Sequence, residues 1–188
     1  MVIGITGHAR NGKDVIADIL INDFHFEKRS FAKPLKDACK IIFDWTEEHV
    51  NGKLKEVEDT RYGITPRLAM QLLGTEWAQT CLCKNSLSFA RTTGRSLWIK
   101  RCLIDVEGKN IVIPDVRFIH EAQAIKDIGG KIIRVVRPGF EGTSNHASET
   151  EMAQIREDYT VLNNSTIDSL RDMVYSVYEQ ILKGAFGE

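Results

Sequence analysis

The sequence predicts an α/β protein, a parallel sheet wrapped on both faces by helices, and three observations carry that prediction. The apolar, β-branched runs "VIGIT", "NIVIPDV" and "GGKIIRVV" are continuous and not alternating, as strands buried on both faces are. Stretches with apolar residues at helical spacing stand between them, so strands and helices alternate along the chain. A glycine-bearing loop, Gly7-His8-Ala9-Arg10-Asn11-Gly12-Lys13-Asp14, joins the first strand to the first helix.

Residues 2 to 6 read as a short buried strand that ends in this loop. From Lys13 onward, Ile16, Ile19 and Leu20 recur at helical spacing. A second strand is expected near residues 26 to 31. Pro34 then suits the first turn of a helix whose stripe is Leu35, Ala38, Ile41 and Ile42. Residues 46 to 63 are polar with little periodicity and read as a mobile or inserted segment. Thr65 as cap and Pro66 at the first position start another helix, with Leu68, Ala69, Leu72 and Leu73 on its apolar side. Arg67 and Gln71 share the opposite stripe, and Gly74 is expected to end the helix. Helices over 97 to 106 and 118 to 128, strands at "NIVIPDV", "KIIRVV" and "TVL", and a closing amphipathic helix complete the set. Crossovers in parallel sheets are right-handed, so their loops collect at the C-terminal edge of the strands. Gly7, Asp115 and the loop after Arg137 are therefore expected on one edge.

Composition narrows the partners. Across 188 residues, 25 Lys and Arg balance 26 Asp and Glu, without the basic excess of most nucleic-acid binders. Cys39, Cys81, Cys83 and Cys102 show neither C-x-x-C pairing nor metal-type spacing, so they read as reduced, buried thiols. With no signal-peptide pattern and no long apolar run, a cytoplasmic protein without a membrane partner is expected.

Chemistry concentrates in the loop. Gly7 and Gly12 allow a tight bend whose backbone N–H groups, from Ala9 to Lys13, can wrap a phosphate. The helix behind adds the positive end of its dipole, and the Lys13 ammonium adds a full charge. A turn that binds nothing is the alternative, and the joint presence of strand, spacing, lysine and helix disfavours it. Asp14 stands where a hydroxyl usually manages Mg²⁺. Its carboxylate suits a hard cation, although an acidic residue in a first helical turn also stabilises the helix by itself. Asp115 closes a buried strand, where a second acid orients magnesium or its waters. Arg117 and Glu121, four apart, fit either a site or a surface ion pair. Arg134 and Arg137 should face differently. Arg137 enters a loop running to "SNHASE", which either closes over phosphates or caps a helix through Ser144-Asn145. His146 with Ser148 lacks a third partner for a nucleophilic dyad. Trp77 and Trp98 fit core packing or base stacking.

Read together, "GHARNGKD", "SFAKPLK", "TPRLAMQLLGTEW", Trp98-Ile99, "VIPDVRFIHEA", "RVVRPG" and "NHASE" resemble the bacteriophage deoxynucleoside monophosphate kinases, in order from residue 7 to 149. The resemblance implies a three-layer α/β/α P-loop NTPase fold in a single domain over residues 1–188. Within it, a helical substrate-binding region spans about 46–106 and a lid-like segment about 137–150. It implies transfer of the γ-phosphate of ATP, with Mg²⁺, to a deoxynucleoside monophosphate. Gly7, Arg10, Asn11, Gly12, Lys13 and Asp14 would then hold the ATP phosphates, and Asp14 the metal. Lys33, Arg67, Gln71, Trp77, Trp98, Asp115, Arg117, Glu121, Ser148 and Glu149 would face the acceptor. Lys13, Asp14, Asp115 and Arg137 would carry the catalytic work. Where the family often has a basic residue soon after "GTEW", this chain has Ala78-Gln79, with Arg91 and Arg95 further on. ATP and the monophosphate are the implied partners, in a host cytoplasm for a viral protein, and a homodimer is compatible with the sequence. Two rival readings share the loop: a kinase for another phosphorylated small molecule, of phosphomevalonate type, and an ATPase module that transfers nothing.

Overall fold

The computed structural model describes residues 1–140 and 151–186. Along the chain run β1 (Val2–Thr6), α1 (Lys13–Phe24), β2 (Glu27–Lys28), α2 (Lys33–Phe43), α3 (Glu47–Val50), α4 (Pro66–Gln71), α5 (Leu82–Asn85) and α6 (Leu87–Thr92). Then follow α7 (Leu97–Leu103), β3 (Ile111–Ile113), α8 (Ile119–Asp127), β4 (Lys131–Val136), β5 (Tyr159–Leu162) and α9 (Ile167–Phe186). The chain divides into two compact units, one of Met1–Ser30 with Asp105–Glu188 and the other of Phe31–Ile104.

The first unit is built on a five-stranded sheet in the order β2-β3-β1-β4-β5, with every neighbouring pair parallel. β1 lies at its centre and is buried along its whole length, which is why its sequence is continuously apolar. On one face Ile3, Ile5, Ile133, Val135 and Val161 of the strands pack with Ile16 and Leu20 of α1 and Leu170, Val174 and Ile181 of α9. The other face carries α8. There Gly4 is needed for close approach, since a Cβ on it would come within 2.7 Å of Ile125 Cδ1. Tyr175 and Tyr178 pack on Phe24, with ring centroids 4.7 and 4.1 Å apart. The strand expected over 26 to 31 shortens to Glu27–Lys28, an edge strand with exposed side chains. Because the sheet is parallel, the loops after β1, β3, β4 and β5 leave from the same edge, as expected for Gly7, Asp115 and Arg137.

In the second unit, Cys39, Trp45, Val50, Ala69 and Met70 form the core, with Leu35, Phe43, Ile64 and Leu73 against it. α2 therefore buries the stripe Leu35–Cys39–Phe43, and the expected stripe is corrected: Ile41 and Ile42 are 83% and 58% exposed. Both stripes have helical spacing, and the partners available to the helix decide between them. Thr65 caps α4 as expected, its hydroxyl accepting from the Leu68 N–H at 3.2 Å. Gly74 does not end this helix, which runs on through π-helical turns over Leu72–Cys81 into α5. Gly74 is there for closeness: a Cβ would meet Leu35 Cδ2 at 2.8 Å. The polar stretch from 46 to 63 is organised too, by α3, by a 3₁₀ turn over Lys53–Glu56 and by Asp59. That carboxylate accepts from Trp45 Nε1 at 2.7 Å and pairs with Arg61 at 2.8 Å. The guanidinium and the indole hold its pKa well below the usual carboxylate range. Among the described residues no helix is long and apolar enough to cross a membrane.

Candidate active site

The loop after β1 bends as its glycines permit. Gly7 has φ 142° and Gly12, the residue just before α1, has φ 98°, both in the range that L side chains avoid. Gly7 is doubly fixed, since a Cβ would also lie 2.5 Å from the Val135 carbonyl oxygen. Arg10, at φ 66°, takes the left-handed conformation without being glycine. Lys13 turns back over the loop, its Nζ donating to the Gly7 and His8 carbonyl oxygens at 2.7 and 2.8 Å. The buried side chain of Asn11 donates from Nδ2 to the Val135 carbonyl at 3.0 Å, which ties the loop to β4. Arg137, at the exit of β4, reaches the Arg10 carbonyl through Nη1 at 3.4 Å.

Arg10, Gly12, Lys13, Asp14 and Arg137 line one cavity of about 410 Å³, together with Asn163, Ser165, Ile167 and Leu170. The last four had no signal in the sequence beyond looking like a turn followed by a helix. The cavity lining thus combines the cationic side chains of Arg10, Lys13 and Arg137 with the apolar ones of Val15, Ile167 and Leu170. Asp14 is largely exposed and its carboxylate lies 3.0 Å from Lys28 Nζ. Arg134 and Arg137 do face differently. Arg134 is spent on structure, pairing with Glu157 at 2.9 Å and donating to the Ile155 carbonyl at 2.5 Å.

At the exit of β3, Asp115 Oδ2 accepts from Ser30 Oγ at 2.6 Å. Glu121 makes no surface ion pair of the kind its spacing from Arg117 allowed. It is buried, and its Oε2 accepts from the backbone N–H groups of Arg117 and Phe118 at 2.8 and 3.1 Å. It holds the turn that presents Arg117, whose own residue is exposed. Burial raises the Glu121 pKa to about 7, with the nearby Asp115 carboxylate adding to it against the two N–H donors.

The remaining expected contacts belong to the second unit. Arg67 and Gln71 are exposed on α4, and Arg67 pairs with Glu56. Lys33, at the start of α2, pairs with Asp37 at 2.5 Å. Trp77 is 44% exposed on the π-helical turns, whereas Trp98 is half-buried and donates from Nε1 to the Gly74 carbonyl at 2.9 Å. Arg95 Nε reaches Gln79 Oε1 at 3.3 Å. Ser148 and Glu149 lie outside the described residues.

A family model described as deoxynucleotide monophosphate kinase matches residues 50–174. A putative deoxynucleotide monophosphate kinase of Acanthamoeba polyphaga mimivirus is 34% identical over 183 residues, covering 94% of this chain and 95% of that protein. The deoxynucleotide monophosphate kinase of Enterobacteria phage T4 is 28% identical, covering 90% and 95%. Among solved structures, a dephospho-CoA kinase from Campylobacter jejuni superposes with a TM-score of 0.50 over 98% of each chain. At 16% identity that likeness is one of fold.

Proposed function

The chain belongs to the deoxynucleotide monophosphate kinase family, and from that premise we propose that it moves the γ-phosphate of ATP onto a deoxynucleoside monophosphate, giving ADP and the diphosphate. One observation carries the reading: the glycine-bent loop, with Lys13 folded over it, lines a cavity whose wall holds both cationic and apolar side chains. A triphosphate suits the cationic groups and the loop amides, and a nucleobase ring suits the apolar ones.

The chemistry asks little covalent help of the protein. Two anions must be held in line, their charge offset, and water kept out. The loop N–H groups and the start of α1 take the ATP phosphates, and Lys13 leaves its carbonyls to follow the transferring group. Arg137, already on the cavity wall, offsets charge that develops there. The exposed carboxylate of Asp14 on the cavity rim is a hard oxygen donor, which fits Mg²⁺; this ion usually takes one or two carboxylates and completes its shell with phosphate and water. Held there by Asp14, magnesium would supply positive charge to offset that of the phosphates. Asp115, whose carboxylate accepts from Ser30, orders water or phosphate near the β3 exit in this reading. On the acceptor side, Lys33, Arg67 and Arg117 supply charge for the monophosphate, Gln71 supplies an amide, and Trp77 and Trp98 supply aromatic surface for the base. Arg67, Gln71, Trp77 and Trp98 of this set fall within residues 46 to 106, the acceptor-binding region of this reading. The acceptor phosphate is already an oxyanion, so no strong general base is required.

The test is an ADP-release assay with ATP, Mg²⁺ and a panel of deoxy- and ribonucleoside monophosphates. Turnover that depends on a deoxynucleoside monophosphate is expected. ADP release that no acceptor accelerates would mark an ATPase module and overturn the proposal.

A further inference from the structure

Glycines permit the loop conformation but do not select it, because a glycine peptide flips easily. Selection needs a group that grips the backbone. Asn163 stands one residue beyond β5, with its own N–H donating to the Val136 carbonyl at 2.8 Å. From there its Nδ2 donates to the Asn11 carbonyl oxygen at 2.9 Å. The fit to the loop is close: a Cβ on Gly12 would lie 2.5 Å from that same nitrogen. Asn11 is pinned from its other side by the bond from its side chain to the Val135 carbonyl, so the exits of β4 and β5 clamp a single loop residue.

We propose that Asn163 is a positioning residue for phosphate binding, setting the orientation of the Asn11–Gly12 peptide. A trans peptide points its C=O and the following N–H in opposite directions. Holding the Asn11 oxygen against Asn163 therefore turns the Gly12 N–H away from it, and among the described residues that N–H has no partner. An anion is attracted by the N–H and repelled by the C=O, so a flipped peptide would replace attraction with repulsion at the floor of the cavity. Asn163 fits this task because its amide is a neutral donor, leaving the positive charge of Arg10, Lys13 and Arg137 on the cavity wall uncancelled. The inference deepens the kinase reading and rests on it.

Asn163→Ala and Asn163→Asp test it, with four readouts: KM for ATP, inhibition by inorganic tripolyphosphate, KM for the acceptor, and melting temperature. Losing one neutral hydrogen bond is expected to raise the ATP KM and the tripolyphosphate Ki together, by about five- to tenfold. The acceptor KM stays within about twofold. Asn163→Asp, nearly isosteric but unable to donate, is expected to lose more, since its carboxylate opposes both the Asn11 oxygen and the anion. Asn163→Ser, too short to reach Asn11, is read in the same way should either variant fail to fold. Unchanged ATP KM and tripolyphosphate Ki would overturn the assignment, whatever happens to the melting temperature. A parent protein that binds neither ATP nor tripolyphosphate would sink the kinase reading itself, a result distinct from the first.

Discussion

Glu121→Gln offers a direct measure of what burial does to one carboxyl group. Both backbone bonds that Glu121 accepts fall on the same oxygen, Oε2, so the amide oxygen of glutamine can take them both while the proton equilibrium disappears. In the folded protein the group holds its proton up to a pH of about 7, against 4.5 for an ordinary glutamate. Between those values the folded state binds more protons than the unfolded one. Stability contributed by the neutral form is present at low pH and is lost as pH rises towards 7, then levels off. Integrated from pH 5 to pH 8, that loss is about 2.5 kcal/mol. Urea unfolding of parent and variant, followed by far-UV circular dichroism at both pH values, isolates it, because every other titrating group cancels in the difference. The variant is expected to gain on the parent as pH rises, by up to that amount. Stability curves that stay parallel from pH 5 to pH 8 would show that the carboxyl group is already ionised in the fold and that burial does not dominate.

Lys13→Ala is expected to lower turnover by at least about a hundredfold, because it removes the full charge that follows the transferring phosphate. Lys13 is half-buried and outside the apolar core, so the variant is expected to stay folded by circular dichroism; near-normal turnover would refute the loop assignment. Arg67→Ala is expected to raise the acceptor KM about tenfold and leave the ATP KM alone, as loss of a charged phosphate contact should. Steady-state kinetics with each substrate varied in turn decide it, and a raised ATP KM beside an unchanged acceptor KM counts against it.

What could be read in the sequence followed from local physics. β1, β3 and β4 announced themselves because strands covered on both faces have no polar side to interrupt the apolar run. Gly7 and Gly12 were legible because positive φ is a local demand that glycine meets best. Gly74 misled for the converse reason. A helix-ending glycine and one chosen for close packing look alike in sequence, and only Leu35, 39 residues away, tells them apart. Residues Ile41 and Ile42 misled in a similar way, since α2 offers two apolar stripes and the fold covers one. Arg117 and Glu121 had the spacing of a side-chain pair, but burial sent the carboxylate to the backbone instead. Asn163 had no signal at all. Its partner is 152 residues away, and in isolation "LNNS" is only a turn.

The way Lys13 rests has a bearing on how an anion engages it. An ammonium already clasped by two carbonyls of its own loop has acceptors before any ligand arrives. To draw it away, an anion has to replace both of those carbonyl oxygens as the acceptor for the ammonium. The resting posture of one side chain thus sets a threshold that a bound phosphate has to meet.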